Sequence, residues 1–542
     1  MKVFITILIL FVLNITSSLS QSIRVNTIGY QPLDDKIATI IGNANSSFQL
    51  IDALDNKVVF EGRTGEEEWQ NDTKEKYSLI DFSEFKKRGT FIIKVGSEQS
   101  PAFEINENVF LEPLKVSTKA FYLWRCGMAV SGEYKGEHFH HKACHLKDGY
   151  LDYDPDKTYK DGVGGWHDAG DYGKYTVNAG VTVASLLLAW QQFESTLKDL
   201  NLDLPEDKEI TALPDFLKEI KYEIDFLFKM QYPDGSGKVS HKLTRKNFSG
   251  FIMPEKDNKK RYFTSWSTAA TADFVAMMAM ASRVFKPYNK WYANKCLSAA
   301  ELSYECLKKY PDHVPFIQHD FTTGGYQTND KDDRLWAASE MWVTTGENGY
   351  LQDFEKRFTQ FNTKVVTNWD WDNVSNLGVF AYVLSKSKDR NMALVQEAEK
   401  ACIQAADTLV NGTVNDAYGR SFDKYYWGCN GTVARQTINL QVANEISPDI
   451  KYKKATTNIV AHLLGRNFYG RSYITGLGYQ PPLYPHSRRS GADKNKNPWP
   501  GYIVGGGHTA IDWVDKESSY SHNEIAINWQ AAWVYALVAV QN

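Results

Sequence analysis

Apolar residues along this chain follow two different periods. Between residues 22 and about 106 they alternate over short runs: Lys36-Ile37-Ala38-Thr39-Ile40-Ile41, Ser47-Phe48-Gln49-Leu50-Ile51 and Gly89-Thr90-Phe91-Ile92-Ile93-Lys94-Val95. Turn residues part the runs at Gly42-Asn43, Asp55-Asn56 and Arg88-Gly89. A period of two with turns at this spacing predicts a small all-β sandwich. From about residue 110 onward the period lengthens. Phe216, Ile220, Ile224 and Leu227 keep one face of a helix. Ser267 to Phe285 is apolar almost all round, as a helix buried on every side would be. The pattern predicts twelve helices, near 117–131, 174–196, 214–231, 265–285, 289–309, 332–346, 349–365, 374–386, 391–409, 432–446, 451–465 and 523–541. Twelve helices are compatible with six helical hairpins closed into a double ring, although periodicity alone does not establish closure.

The first twenty residues break both periods. Lys2, the apolar run Val3 to Leu13 and the small-x-small triplet Ser18-Leu19-Ser20 predict a cleavable signal peptide over 1–20. A secreted or periplasmic protein is expected, cut after Ser20. No Cys follows the cut to carry a lipid, and no later run reads as a membrane span. The expected division is therefore a signal peptide at 1–20, a sandwich at 22–106 and a helical catalytic domain at 110–542.

Composition adds little except in its aromatics. The 542 residues are 43% hydrophobic and 23% charged, the profile of a folded soluble chain. A net charge of -4 offers no basic footprint for nucleic acid. Aromatics reach 13%, and their faces stack on sugars as well as filling cores. The cysteines stand at 126, 144, 296, 306, 402 and 429, too few to staple so large a protein.

Three loops between the helices carry more polar and Gly residues than a connector needs. In Gly164-Gly165-Trp166-His167-Asp168-Ala169-Gly170-Asp171, two carboxylates lie three apart in a Gly-rich turn before a helix. Such a turn can bring both to one side, where each raises the other and both can hold one water. A helix N-cap Asp beside a turn Asp explains the same spacing. In Pro481-Pro482-Leu483-Tyr484-Pro485-His486-Ser487-Arg488, His486 and Arg488 stand two apart on a rigid loop and would share a face to bond sugar hydroxyls. An exposed basic loop is the alternative. In Asp512-Trp513-Val514-Asp515 through Tyr520 to Glu524, a carboxylate enters the first turn of the last helix. The helix dipole there would lower its pKa, so burial or a nearby carboxylate such as Asp515 would have to outweigh it in a proton donor.

Taken together, these segments resemble glycoside hydrolase family 9, the inverting cellulase family. Asp168-Ala169-Gly170-Asp171 is similar to its base motif. Ser472-Tyr473-Ile474-Thr475-Gly476-x-Gly478 through Pro485-His486-x-Arg488 is similar to its histidine signature. Trp513-x-Asp515, Tyr520 and Glu524-x-Ala526 are similar to its acid signature, with Gln530 where the family usually has Asn. The resemblance runs from about 110 to 541. It implies a mostly α fold, an (α/α)6 barrel. The opening Ile23-Arg24-Val25-Asn26-Thr27-Ile28-Gly29-Tyr30-Gln31-Pro32 resembles the immunoglobulin-like domain that precedes some cellulase catalytic domains.

The resemblance implies cleavage of a β-1,4-linked glucan, with Asp171 as general base and Glu524 as general acid. Asp168 would hold the same water. His486 and Arg488 would orient the sugar, Tyr520 would touch it, and Trp427 would stack on a ring or pack in the core. No cofactor is expected for the chemistry. Cys126, Cys144, His145 and His167 supply two thiolates and two imidazoles, a donor set that suits structural zinc. Zinc in similar members supports this, and a Cys126–Cys144 disulfide is the rival. Thr328-Asn329-Asp330-Lys331-Asp332-Asp333 resembles the family's calcium loop, with Asp332 and Asp333 as ligands and Asp370 or Asp372 as a distant one. Two other functions stay open at this point: a glycan-binding protein on the same fold without activity, and an exo-acting β-glycosidase on oligosaccharides.

Overall fold

The computed structural model describes residues 22–210, 212–361 and 364–542, so the expected signal peptide lies outside the described residues. The alternating segment forms two facing sheets. One orders β1 (Ile23–Arg24), β3 (Ile37–Ile41), β7 (Glu75–Asp81) and β6 (Glu68–Gln70). The other orders β2 (Gly29–Tyr30), β10 (Phe103–Ile105), β8 (Gly89–Val95), β4 (Ser47–Asp52) and β5 (Val58–Arg63), with β9 (Glu98–Gln99) on β8. Alternate residues turn inward, as the period requires: Phe91, Ile93 and Val95 from β8 meet Phe48 and Leu50 from β4 and Ala38 and Ile40 from β3.

The helices are α1 (Leu111–Leu123), α2 (Thr176–Leu197), α3 (Asp215–Leu227), α4 (Thr268–Phe285), α5 (Lys290–Lys309), α6 (Lys331–Thr345) and α7 (Asn348–Gln360). They continue with α8 (Ser375–Leu384), α9 (Met392–Asn415), α10 (Cys429–Ile446), α11 (Ile450–Leu463), the single turn α12 (Tyr520–Asn523) and α13 (Ile527–Gln541). Helix α2 packs on α4, α4 on α6, α6 on α8, α8 on α10, α10 on α13, and α13 returns to α2. This closes an inner ring of six. Each inner helix is preceded by an outer one, α1, α3, α5, α7, α9 and α11, giving the (α/α)6 barrel. Burial explains the sorting. Helix α4 hides every residue except Arg283, and α13 is buried from Ile527 through Val538. Outer α5 hides only a stripe that includes Tyr292, Cys296, Ser303 and Leu307.

Two of the departures from the expected helix bounds bear on the site. Helix α1 stops at Leu123 because the chain beyond it pairs sideways: Cys126 N–H donates to Gly165 C=O (2.7 Å) and His167 N–H to Trp124 C=O (2.9 Å). The last helix starts at Ile527, so Glu524 stands before it. Small strands also interrupt the helical part, unannounced by periodicity. β11 (Val130–Tyr134) and β12 (Glu137–His141) form a hairpin, and β13 (Tyr150–Leu151), β16 (Tyr262–Phe263), β15 (Lys242–Thr244) and β14 (Lys174–Tyr175) form a sheet in that order. No helix among the described residues is long and apolar enough to cross a membrane.

Candidate active site

Loops entering all six inner helices, α2, α4, α6, α8, α10 and α13, line one cleft of about 640 Å³. Asp168, Asp171, Trp427 and Glu524 are in its wall, with Tyr326 and Trp371. The three motifs meet at Gly170. Its C=O accepts from Arg488 N–H (3.0 Å), and a Cβ there would fall 2.3 Å from His486 O and 3.1 Å from Glu524 Oε1. Only glycine lets the acid and base loops approach this closely.

Each carboxylate has a different environment. Asp171 Oδ2 accepts from Gly173 N–H (2.9 Å) and Tyr175 O–H (3.0 Å). Asp168 is buried. Its oxygens accept from Asn178 Nδ2 (2.7 Å) and Tyr326 O–H (2.6 Å), while burial and then the charge of Asp171 push its carboxyl well above the usual range. Tyr326 takes a left-handed backbone, φ 44°, to reach it. Glu524 is held extended by Gly505 N–H donating to its C=O (2.9 Å). Burial, then Asp171 and Asp168, push its carboxyl well above the usual range. The helix dipole expected to oppose this does not act on a first-turn residue here, because Glu524 lies outside α13.

His486 Nδ1 faces Glu517 C=O at 2.6 Å, which favours the tautomer that keeps its proton there, and burial lowers its pKa. Arg488 donates from Nε to Ser249 C=O (2.9 Å), lies over the Phe248 ring at 5.1 Å and pulls Glu524 toward its anion. Trp427 and Tyr520 are about half exposed and meet edge to face at 5.3 Å on the cleft rim. Asp515 is corrected. It is not what raises Glu524; both its oxygens are taken by Arg471 Nη2 (3.1 Å), Leu483 N–H (2.9 Å), Tyr484 N–H (2.9 Å) and Asn523 Nδ2 (3.0 Å). It braces the proline-rich loop and the residue before Glu524.

The profile of glycosyl hydrolase family 9 matches residues 110–537, and that of the cellulase N-terminal ig-like domain matches 19–100. The chain belongs to glycosyl hydrolase family 9. It is therefore a glycoside hydrolase. It is 51% identical to Endoglucanase D of Acetivibrio thermocellus over 96% of this chain and 83% of that protein. It is 32% identical to a cellodextrinase of Butyrivibrio fibrisolvens, over 96% of this chain and all of that one. Among solved structures, a Zn-binding triple mutant of the family 9 endoglucanase J30 superposes with a TM-score of 0.89 at 30% identity, over 94% of this chain and 99% of that one.

In this family 9 chain, Gln530 points away from the cleft. It accepts from Ile503 N–H (3.1 Å) and donates to Ser117 C=O (2.7 Å) and Gly501 C=O (2.8 Å), behind the acid loop. Tyr175, Asn178, Tyr326 and Trp371 were not foreseen as site residues. The Gly324-Gly325-Tyr326 turn was the one local signal.

The Cys/His donors converge. Ligand atoms of Cys126, Cys144, His145 and His167 all lie within 4.8 Å of one another, and all four residues are buried. His167 Nε2 stands 3.3 Å from His145 Nδ1, Cys126 Sγ 3.5 Å from His145 Nδ1, and Cys144 Sγ 3.9 Å from His167 Nε2. Tetrahedral zinc with ordinary Zn–N and Zn–S bonds needs edges of about 3.3–3.8 Å, so the donor set fits the ion. All six cysteines are free, which removes the Cys126–Cys144 disulfide. Asp257 Oδ2 lies 3.6 Å from His145 Nε2, where it can orient the ring.

The acidic loop does not gather in the same way. Asp332 accepts from Val374 N–H (2.7 Å). Asp333 turns into the barrel, where burial and the facing Asp273 raise its pKa. Asp370 is taken by Arg435 (3.0 Å) and Asn528 (2.7 Å). Among the described residues, the Cys/His group is the set of three or more such ligands that assembles.

Proposed function

We propose that the protein hydrolyses β-1,4-glucosidic bonds in cellulose or a related β-glucan by single displacement. Glu524 protonates the leaving oxygen and Asp171 takes a proton from the attacking water. The observation that carries this reading is the meeting at Gly170 of a carboxyl that burial pushes well above the usual range and a carboxyl that accepts from two donors. Opposite environments for two carboxyls in one cleft divide the acid role from the base role. Asp168, locked by Asn178 and Tyr326, holds the same water. His486 and Arg488 steady the sugar whose bond breaks, and Trp427 and Tyr520 offer aromatic faces on the rim. An inverting site needs the two carboxyls roughly 6.5–9.5 Å apart, with the water between.

The names of the relatives, Endoglucanase D and a cellodextrinase, support a β-glucan as substrate. The signal-peptide pattern at 1–20 supports action outside the cytoplasm. Cys126, Cys144, His145 and His167 would hold a structural zinc. Bound there, it would supply no chemistry to the sugar but would tie the chain after α1 to the loop that carries Asp168. Proton NMR of the earliest products, before mutarotation, tests the displacement. An α-configured reducing end is expected first, whereas an initial β-anomer would mean a covalent intermediate and overturn the roles of Asp171 and Glu524.

A further inference from the structure

Lys242 is fully buried and sits directly across the sheet from Tyr175, its partner in the β14–β15 register. Its ammonium donates to Gly324 C=O (2.8 Å), Gln318 Oε1 (2.9 Å), Thr323 Oγ1 (3.1 Å) and, at 3.4 Å, Thr323 C=O. These acceptors are all neutral. The rings of Phe321, Phe316 and Tyr175 surround it at 5.0, 5.3 and 5.8 Å. A buried cation with neutral partners is costly to keep and calls for a use.

The contacts lead to the base. Thr323 C=O and Gly324 N–H belong to one peptide unit. Gly324 N–H donates to the Tyr175 hydroxyl (3.2 Å), and that hydroxyl donates to Asp171 Oδ2 (3.0 Å). A cation on the carbonyl makes the amide a stronger donor, which makes the phenol a stronger donor in turn. The neighbouring His241 fixes the same loop through Gly325 C=O (2.8 Å), and the loop's Tyr326 bonds Asp168.

We propose that Lys242 is a positioning residue for the general base: its buried charge, passed through the Thr323–Gly324 peptide and the Tyr175 hydroxyl, holds Asp171 as the carboxylate. This rests on the reading of Asp171 as base. Other groups face that carboxylate too. They are the Asp168 and Glu524 carboxyls, His486 and the Tyr175 and Tyr326 hydroxyls. Lys242 itself faces Asp171 and Lys246. Burial pushes its ammonium down to about 7, and the Asp171 carboxylate pulls it back up.

The test is kcat/KM against pH on a soluble cello-oligosaccharide for wild type, Lys242→Met, Tyr175→Phe, the double variant and Asp171→Asn. Lys242→Met should move the acidic limb upward by about one pH unit, costing roughly tenfold on that limb while KM changes less than about twofold. The double variant should shift the limb no further than Tyr175→Phe alone, because both cut one relay. A folded Lys242→Met with an unmoved limb overturns the proposal. Should that variant not fold, an unmoved limb in Tyr175→Phe overturns it equally. Asp171→Asn separates the two readings: retained turnover removes the base assignment and the proposal with it. Lost turnover in Asp171→Asn beside an unmoved limb in Lys242→Met removes the proposal alone.

Discussion

At the scale of single residues, Glu524 shows how three positions along the chain alter a pKa. At the start of a helix its anion would be favoured. Three residues earlier, extended and packed between Gly170 and Gly505, its neutral form is favoured by burial and by two aspartates. The sign for activity follows. A donor must be protonated, so activity is lost as pH rises through the raised value of Glu524, while the acidic limb belongs to the base. Glu524→Gln should cut turnover on a natural glucan by about 10²–10⁴-fold, the usual share of a general acid. Its binding should be nearly unchanged, and activated aryl glycosides should be spared because their leaving groups need little protonation. Steady-state rates on both substrates check this, and equal losses would sink the assignment.

At the scale of elements, the end of α1 decides the metal site. A helix running on past Leu123 would leave no chain to pair with residues 165–167, and Cys126 would not reach His145. The non-helical stretch is what assembles donors spread from residue 126 to residue 167. About one zinc per chain is expected from four convergent donors, read by elemental analysis. Cys144→Ser should lose the metal and lower stability by more than about 3 kcal/mol, beyond the usual effect of one substitution. Chelation should lower activity and folded-state circular dichroism together. Activity lost while the fold persists would mean that the ion serves the chemistry.

At the scale of the whole molecule, the sandwich is bonded to the barrel rather than tethered to it. Arg24 of β1 is buried, donates to Phe468 C=O and Asn467 C=O, and meets Glu75 at 3.4 Å. Thr39 of β3 donates to Ala417 C=O and accepts from Arg466 Nε (3.0 Å). Gly465 passes Thr27 so closely that a Cβ would fall 2.7 Å from its methyl. The sandwich and barrel should therefore unfold in one calorimetric transition. Arg24→Ala leaves buried carbonyls and Glu75 without their cation, a cost on the order of 3 kcal/mol. The single transition should then split in two or move down sharply; an unchanged transition would show that the interface contributes nothing to stability.

Much of this was legible in the chain because it depends on neighbours in sequence. Periods of two and of about 3.6 separate the sandwich from the barrel, since each backbone form presents one face to a core at its own spacing. The Asp168–Asp171 turn, the His486–Arg488 loop and Glu524 could be named because each is a short local pattern. Ring closure, the meeting at Gly170 and the supports on Asp168 and Asp171 depend on residues far apart. Tyr326 reaches Asp168 from 158 positions away. Lys242 approaches the base through a sheet of two- and three-residue strands, too short to have a period. The fate of the aspartates also needed three dimensions. Asp515 binds a loop, and Asp333 faces Asp273 inside the barrel, because a carboxylate's role follows from the donors and charges around it, and packing alone sets those.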